Sequence, residues 1–557
     1  MAEKQQRRQT FMARVFYILV SQVLIKLLGM VYRLVITNIP GFGNVGNGFY
    51  NAGYQVYTLL LAISSVGIPN AISKMVSERT ALGKYDEAKH VFHTALWLFA
   101  GIGLFFSAVL FFGADFIAHN VIHMDGVEYT LRALSPAIFF VCTGSVVRGY
   151  CLGNQDVRAS GRGQVIEQIF KTSLTIVIVY MLISREPQIM AAGANLATAL
   201  ATMLSFGYIV FYYFRHRGRI LQRGPDSPEP VEYTHKIGFF TLSKSILFIS
   251  IPISLSSIIT AFARVIDTST IMTGIKSGFA SGIPGTPGVP TPEMLNLEAT
   301  RLSGMLSKSD IITNLPLALN IAFATVLVPT ISAALARGER EDAESRIRYS
   351  LLISTLLILP CAVGLITLAQ PIFHLIYPVT PDGADLLQLA AVALIFTALD
   401  QTICGALHGL GKLFIPAIGL FCGMVVKILL NIVLIRIPSV NIYGAAISSI
   451  FCHLTAFLIC YFSLKRSMLI RIPVRKYLIK PVAASAIMGV FSIAAFRAVH
   501  ALLHSNAIAV FASIALSVIV YVLALCLLRI LTPDEVKQLP GGTKILSILQ
   551  KCRLVRE

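Results

Sequence analysis

Fourteen stretches of the sequence are each long and apolar enough to cross a lipid bilayer, and that repetition leaves few folds open. A spanning helix needs about 20 mostly apolar residues. The stretches fall at 12–37, 49–76, 91–113, 130–152, 164–184, 189–214, 239–275, 311–336, 349–370, 386–408, 413–436, 441–464, 477–503 and 507–530. A closed β-barrel is the other structure that satisfies every backbone group in lipid, but its strands alternate apolar and polar residues. These runs are continuously apolar, so helices are expected. Composition agrees: 55% of residues are hydrophobic and 13% charged, against about 25% charged in a soluble domain, and the mean hydropathy is +0.75. The start, MAEKQQRRQTFMARVFYILV, is basic and then apolar like a signal peptide. Its apolar run is too long, contains Lys26 and Arg33 and offers no small-residue cleavage site, so it is expected to remain as the first span.

The net charge of +19 would suggest nucleic acid in a soluble protein; among membrane helices it records orientation, because cytoplasmic loops collect Lys and Arg. Of the 46 basic residues, 34 fall on the even-numbered loops and the two termini, seven on the odd-numbered side and five inside spans. Both termini are therefore expected in the cytoplasm, on one side of a multi-pass membrane protein.

The two halves of the chain repeat. RGYCLGNQDVRASGRGQVIEQIFKTSLTIVIV, from Arg148, lies over CGALHGLGKLFIPAIGLFCGMVVKILLNIVLI, from Cys404, at a constant offset of 256, so that Gly149 falls on Gly405 and Lys171 on Lys427. Six spans per half, each half beginning inside, predict two parallel six-helix lobes around a central cavity. The expected organisation is an N-lobe over 1–214, a polar, Pro-rich cytoplasmic linker over 215–236, and a C-lobe over 237–465 with a Gly/Pro-rich extracellular loop at 277–310. Two extra helices over 466–531 lie outside the duplication, and a cytoplasmic tail over 532–557 follows. The fold class is all-α integral membrane with 14 transmembrane helices.

The five intramembrane cations are Lys26, Arg33, Lys171, Arg264 and Lys427. A charge in a span usually faces a bundle interior or a wet cavity, because exposing it to lipid costs several kcal/mol. Lys26 and Arg33 are two helical turns apart and share a face of span 1, while Arg264 and Asp267 lie one turn apart in span 7. Together they predict an anion site suited to phosphate or pyrophosphate, whose oxygens Arg grips bidentately. The plainer alternative is that Lys26 snorkels to an interface and Arg264 pairs with Asp267. Lys171 and Lys427 are secondary candidates, their repetition reflecting a paired role or inherited architecture. Hinge candidates are Gly29, Pro69, Pro252 and Pro329, since Pro breaks membrane helices where a transporter bends.

Other motifs carry less. Gly41-Phe-Gly-Asn-Val-Gly46 matches G-x-G-x-x-G but follows a membrane helix, so it reads as a turn. The nine Cys show no C-x-x-C and mostly lie within spans, as small apolar residues and not ligands or disulfides. His90/His93, His119/His123 and His500/His504 have helical ligand spacing without a carboxylate or thiol set, so no metal is expected. No Walker motif, nucleophile elbow or H-E-x-x-H is present, and neither an enzyme, a cofactor nor a nucleic-acid partner is expected.

With these residues in hand, GNGFYNAGYQVY (46–57), GIPNAISKMVSE (67–78) and RVID (264–267), the chain resembles the multidrug/oligosaccharidyl-lipid/polysaccharide (MOP) exporter superfamily, MATE-like in fold. Within it the sequence is most similar to the branch of stage V sporulation protein B and the MurJ-type lipid II flippases. The resemblance implies that an undecaprenyl-pyrophosphate-linked wall precursor, lipid II first among them, is moved from the inner to the outer leaflet by alternating access. It maps basic cavity residues onto Lys26, Arg33 and Arg264 and an acid onto Asp267, and implies a groove for the polyprenyl tail at spans 13 and 14. The lipid II flippases carry an Arg-Asp pair late in span 1, where this chain has Tyr32-Arg33. The alternatives are a cation-coupled drug exporter, which would want cavity carboxylates where this chain offers mainly Asp267 and Asp400, an exporter of another lipid-linked polysaccharide, and a non-transporting scaffold. Expected partners are the lipid-linked oligosaccharide, anionic membrane lipids and cell-wall synthesis proteins around a monomer, with coupling to the membrane potential, Na+ or H+.

Overall fold

The computed structural model describes residues 24–65, 67–154, 156–220, 238–284, 286, 288–412, 414–468, 473–530 and 532. The N-terminal cations Lys4, Arg7, Arg8 and Arg14, most of the 215–236 linker and nearly all of the 532–557 tail lie outside them. Among the described residues the elements are helices and no strand occurs. They are α1 (24–37), α2 (Gly43–Ser64), α3 (Ile68–Ala81), α4 (Tyr85–Phe112), α5 (Ala114–Phe116), α6 (Glu128–Gly153), α7 (Val157–Met181), α8 (Pro187–Ile220) and α9 (Phe239–Gly278). The chain continues through α10 (Pro292–Ala336), α11 (Arg340–Thr367), α12 (Ala369–Ile376), α13 (Ala384–Gly409), α14 (Phe414–Leu434), α15 (Ile442–Ser467), α16 (Lys480–Leu503) and α17 (Asn506–Leu527). Eleven spans among the described residues are long and apolar enough to cross a membrane.

Local chemistry explains where the helices depart from the sequence expectation. The second expected span, 49–76, is two helices. The hydroxyls of Ser64 and Ser65 turn back onto the carbonyls of Leu60 and Leu61 at 2.6 and 2.8 Å, competing with the backbone ladder, and Pro69 opens α3 in its first turn, where its missing N–H costs nothing. The outer connection is shorter than 277–310: α9 runs to Gly278, and Pro292 starts α10, leaving 279–291 between them. At 1.5 Å per residue the 40 residues of α9 and 45 of α10 are about 60 and 68 Å long, well beyond a hydrocarbon core of about 30 Å.

By packing, the chain divides into two compact units, 1–307 and 308–557. In the first, α9 packs on α2, α3 and α4 despite following the expected linker. A core of Ile72, Phe92, Phe99, Val146, Tyr150, Ile209, Tyr212 and Ile246 joins α3, α4, α6, α8 and α9. Small residues allow the closest crossings, as in membrane bundles generally. A Cβ on Gly48 would collide with the carbonyl of Thr300, and one on Gly304 with that of Asn44; Asn47 Nδ2 bridges the same crossing, donating to the Gly304 carbonyl at 3.0 Å.

In the second unit α13 lies between α11 and α15, and α15 packs on α14, where a Cβ on Gly423 would collide with the carbonyl of Cys452. Helices α16 and α17 pack on each other, and α16 on α11, around Leu352, Leu356, Ala484, Met488 and Tyr521. The Tyr521 hydroxyl donates to the Leu356 carbonyl at 2.8 Å.

Two cations outside the five intramembrane candidates also lie inside the bundles. Arg148, in α6, donates to Glu167 at 3.0 Å and Ser205 at 3.1 Å. Lys308, in α10, is fully buried and donates to the Thr380 carbonyl at 2.6 Å, 4.9 Å from the Tyr377 ring.

Candidate functional site

The first unit brings two of the five sequence-singled cations into one tyrosine-lined cluster. Helix α1 supplies Tyr32 and Arg33, and α2 supplies Tyr50, Asn51, Tyr54 and Tyr57. In α2 the spacing of positions 50, 54 and 57 puts three rings on one face. Tyr50 and Tyr54 stack with centroids 5.9 Å apart, and Tyr57 follows 5.6 Å from Tyr54. The hydroxyls of Tyr32 and Tyr50 share a hydrogen bond of 2.9 Å, which ties α1 to α2. Helix α7 docks on α1, where the Thr172 hydroxyl reaches the Leu28 carbonyl at 3.4 Å, and so delivers Lys171. From α8, Asn195 Nδ2 donates to the Tyr50 carbonyl at 3.3 Å.

The cations use the ring faces. The Arg33 guanidinium carbon stands 4.4 Å from the Tyr50 centroid, and Nη2 reaches Asn51 Oδ1 at 3.4 Å, while Nη1 is buried without a hydrogen-bond partner among the described residues. Lys171, 7% exposed, has its Nζ 4.5 Å from the Tyr54 centroid and 5.5 Å from that of Tyr32, and donates to the Tyr54 hydroxyl at 3.5 Å. Among the described residues no carboxylate pairs with Arg33 or Lys171. A desolvated cation over an aromatic face gains about 2 kcal/mol, less than the several kcal/mol that burying an unneutralised charge costs. The cluster is therefore an electrostatically unsatisfied positive site, and a guanidinium stacked on a ring keeps its in-plane N–H groups free for an anion.

The other expected residues are placed differently. Lys26 and Arg264 are exposed, and neither side chain makes a hydrogen bond or ion pair with any described residue. Asp267 is half-buried. One turn from Arg264, Thr268 donates to Gln55 Oε1 and so joins α9 to α2. Lys427, half-buried in α14, belongs to the second unit. Gly29 faces α7, where an added Cβ would meet Gln168 Nε2 at an ordinary 3.5 Å. Pro252 and Pro329 fall within α9 and α10, at positions whose side chains lie outside those described. The tyrosines were missed by the sequence reading; the signal present was the spacing of Tyr50, Tyr54 and Tyr57 in a segment noted for another reason.

Comparison with known proteins places this arrangement in a family. Residues 11–335 match the family model of polysaccharide biosynthesis proteins, and residues 302–519 that of the lipid II flippase MurJ. The lipid II flippase MurJ of Bacillus subtilis (strain 168) is 24% identical over 469 residues, covering 81% of this chain and 82% of the relative. Stage V sporulation protein B of the same organism is 24% identical over 536 residues, covering 96% and 98%. Among solved structures, a lipid II flippase MurJ in an inward closed conformation superimposes with a TM-score of 0.68 at 15% identity, over 91% of this chain and 97% of that one. An inward-facing multidrug resistance MATE family transporter gives 0.60 at 15%, over 81% and 98%. These show a shared transporter fold, and the proteins compared are membrane transporters and not enzymes. The chain is a multi-pass membrane protein that belongs to the polysaccharide biosynthesis protein family and is similar, at 24% identity, to stage V sporulation protein B and the lipid II flippase MurJ.

Proposed function

We propose that the protein is a flippase that carries a polyprenyl-diphosphate-linked wall precursor, lipid II or a close relative, from the inner to the outer leaflet by alternating access. The observation that carries this reading is the pair of cations, half-buried Arg33 and buried Lys171, which contact tyrosines and no carboxylate among the described residues. In this proposal Arg33 grips the diphosphate through its free in-plane N–H groups, and Lys171, behind Tyr54 and Tyr32, strengthens the field where water is excluded. The exposed side chains of Lys26 and Arg264 take further phosphate oxygens. The excess of basic residues on one set of loops supports both termini in the cytoplasm, and with that orientation an inward-negative potential favours outward movement of a net negative cargo.

A drug exporter for organic cations is disfavoured, since a site of this charge repels them. Mass spectrometry of lipid copurified with the protein tests the reading: recovery of a polyprenyl diphosphate carrying a glycan is the expected result, and recovery of phospholipid alone from active protein would overturn it.

A further inference from the structure

The second unit contains a cluster that this transport reading does not use. Asp400 and Cys404 lie one turn apart on one face of α13, and Cys460 meets them from α15. Cys404 Sγ is 3.5 Å from Asp400 Oδ1 and 4.0 Å from Cys460 Sγ, and the three donor atoms lie within 4.8 Å of one another. Asp400 is 4% exposed and Cys460 fully buried, against an apolar floor of Ile403, Leu407 and Leu464. Among the described residues no cationic side chain pairs with Asp400. The duplication sharpens the point: Cys404 stands where the first half has Arg148, which neutralises Glu167. In the second half that place is taken by a thiol.

Tetrahedral zinc, with bonds of about 2.3 Å to sulfur and about 2.1 Å to carboxylate oxygen, requires donor separations of about 3.8 Å between sulfurs and about 3.6 Å from sulfur to oxygen. The observed 4.0 and 3.5 Å match both. We propose that Asp400, Cys404 and Cys460 form a binding site for a thiophilic divalent metal ion of the zinc class, with water in the fourth position. Two thiolates exclude magnesium and calcium in favour of such an ion, and binding releases the two thiol protons. With two thiolates, one carboxylate and a divalent ion the site keeps the net charge of −1 that it has before binding, and the ion staples α13 to α15 near a shared end, where Lys412 Nζ already donates to Ser467 Oγ at 2.6 Å.

Cobalt and zinc titration of the purified full-length protein tests this. One equivalent of Co2+ is expected to give a thiolate-to-metal charge-transfer band that equimolar Zn2+ abolishes. Cys404→Ser and Cys460→Ser should lose the band, Asp400→Asn should weaken Co2+ binding about tenfold, and Cys422→Ser with Cys452→Ser should leave it unchanged. Zinc-edge absorption of the loaded wild-type protein, which depends on no variant, should show two sulfur ligands at about 2.3 Å. A coordination shell of oxygen and nitrogen alone, an unchanged band in Cys404→Ser, or a disulfide between Cys404 and Cys460 in the purified protein would overturn the proposal.

Discussion

The guanidinium of Arg33 lies 4.4 Å from the ring centre of Tyr50, held there by Asn51, with Nη1 unused. A stacked guanidinium offers a rigid fork of donors, which an ammonium at the same place cannot. Arg33→Ala is therefore expected to abolish complementation in cells that depend on the protein. Arg33→Lys should retain the charge but slow transport about tenfold, equivalent to about 1.4 kcal/mol. Equal activity of Arg33→Lys and wild type would show that charge alone suffices.

The tyrosine shell has a structural role separable from anion binding. Tyr32→Phe removes the 2.9 Å hydroxyl pair with Tyr50 and should cost about 1 kcal/mol of stability, read as a lower melting temperature in detergent. Tyr50→Leu should in addition lower activity, because Arg33 loses its platform.

Arg148 and Glu167 form an ion pair at 3.0 Å with side chains 15% and 26% exposed. Arg148→Met leaves the carboxylate without its partner and should destabilise the first unit by about 3 kcal/mol. The double change Arg148→Met with Glu167→Leu should recover much of that loss, and a double-mutant cycle measures the coupling.

Backbone crossings give a contrast between glycines. Gly304→Ala places a Cβ against the Asn44 carbonyl and should cost about 1–3 kcal/mol by overpacking. Gly364→Ala, in α11 with nothing within 4 Å of the new atom, should stabilise by up to about 1 kcal/mol through helix propensity. Thermal melts of the two variants in one detergent test the sign of each.

The periodicity of apolar runs made the helical fold legible, because a bilayer imposes one length scale on every span. Lys171 was legible as a cation where no topology needs one. What escaped was set by tertiary contact. Arg148, near the end of the expected span 130–152, and Lys308, within the expected loop 277–310, were not among the five intramembrane candidates, yet Glu167 and the Thr380 carbonyl draw them into the bundles. Tyr50 and Tyr54 look like ordinary core residues until Arg33 and Lys171 are seen on their faces. The break before Pro69 was hidden because the run 49–76 stays apolar across it.

The central claim is that an anionic lipid diphosphate is bound by Arg33 and Lys171 and carried across the membrane. Its most direct test is reconstitution in vesicles with an undecaprenyl-diphosphate-linked disaccharide, following its appearance in the opposite leaflet. The account predicts transport by the wild-type protein and at least about tenfold slower transport by folded Arg33→Ala and Lys171→Ala variants. Wild-type rates in both variants, or no transport of any polyprenyl diphosphate by the wild type, would contradict it.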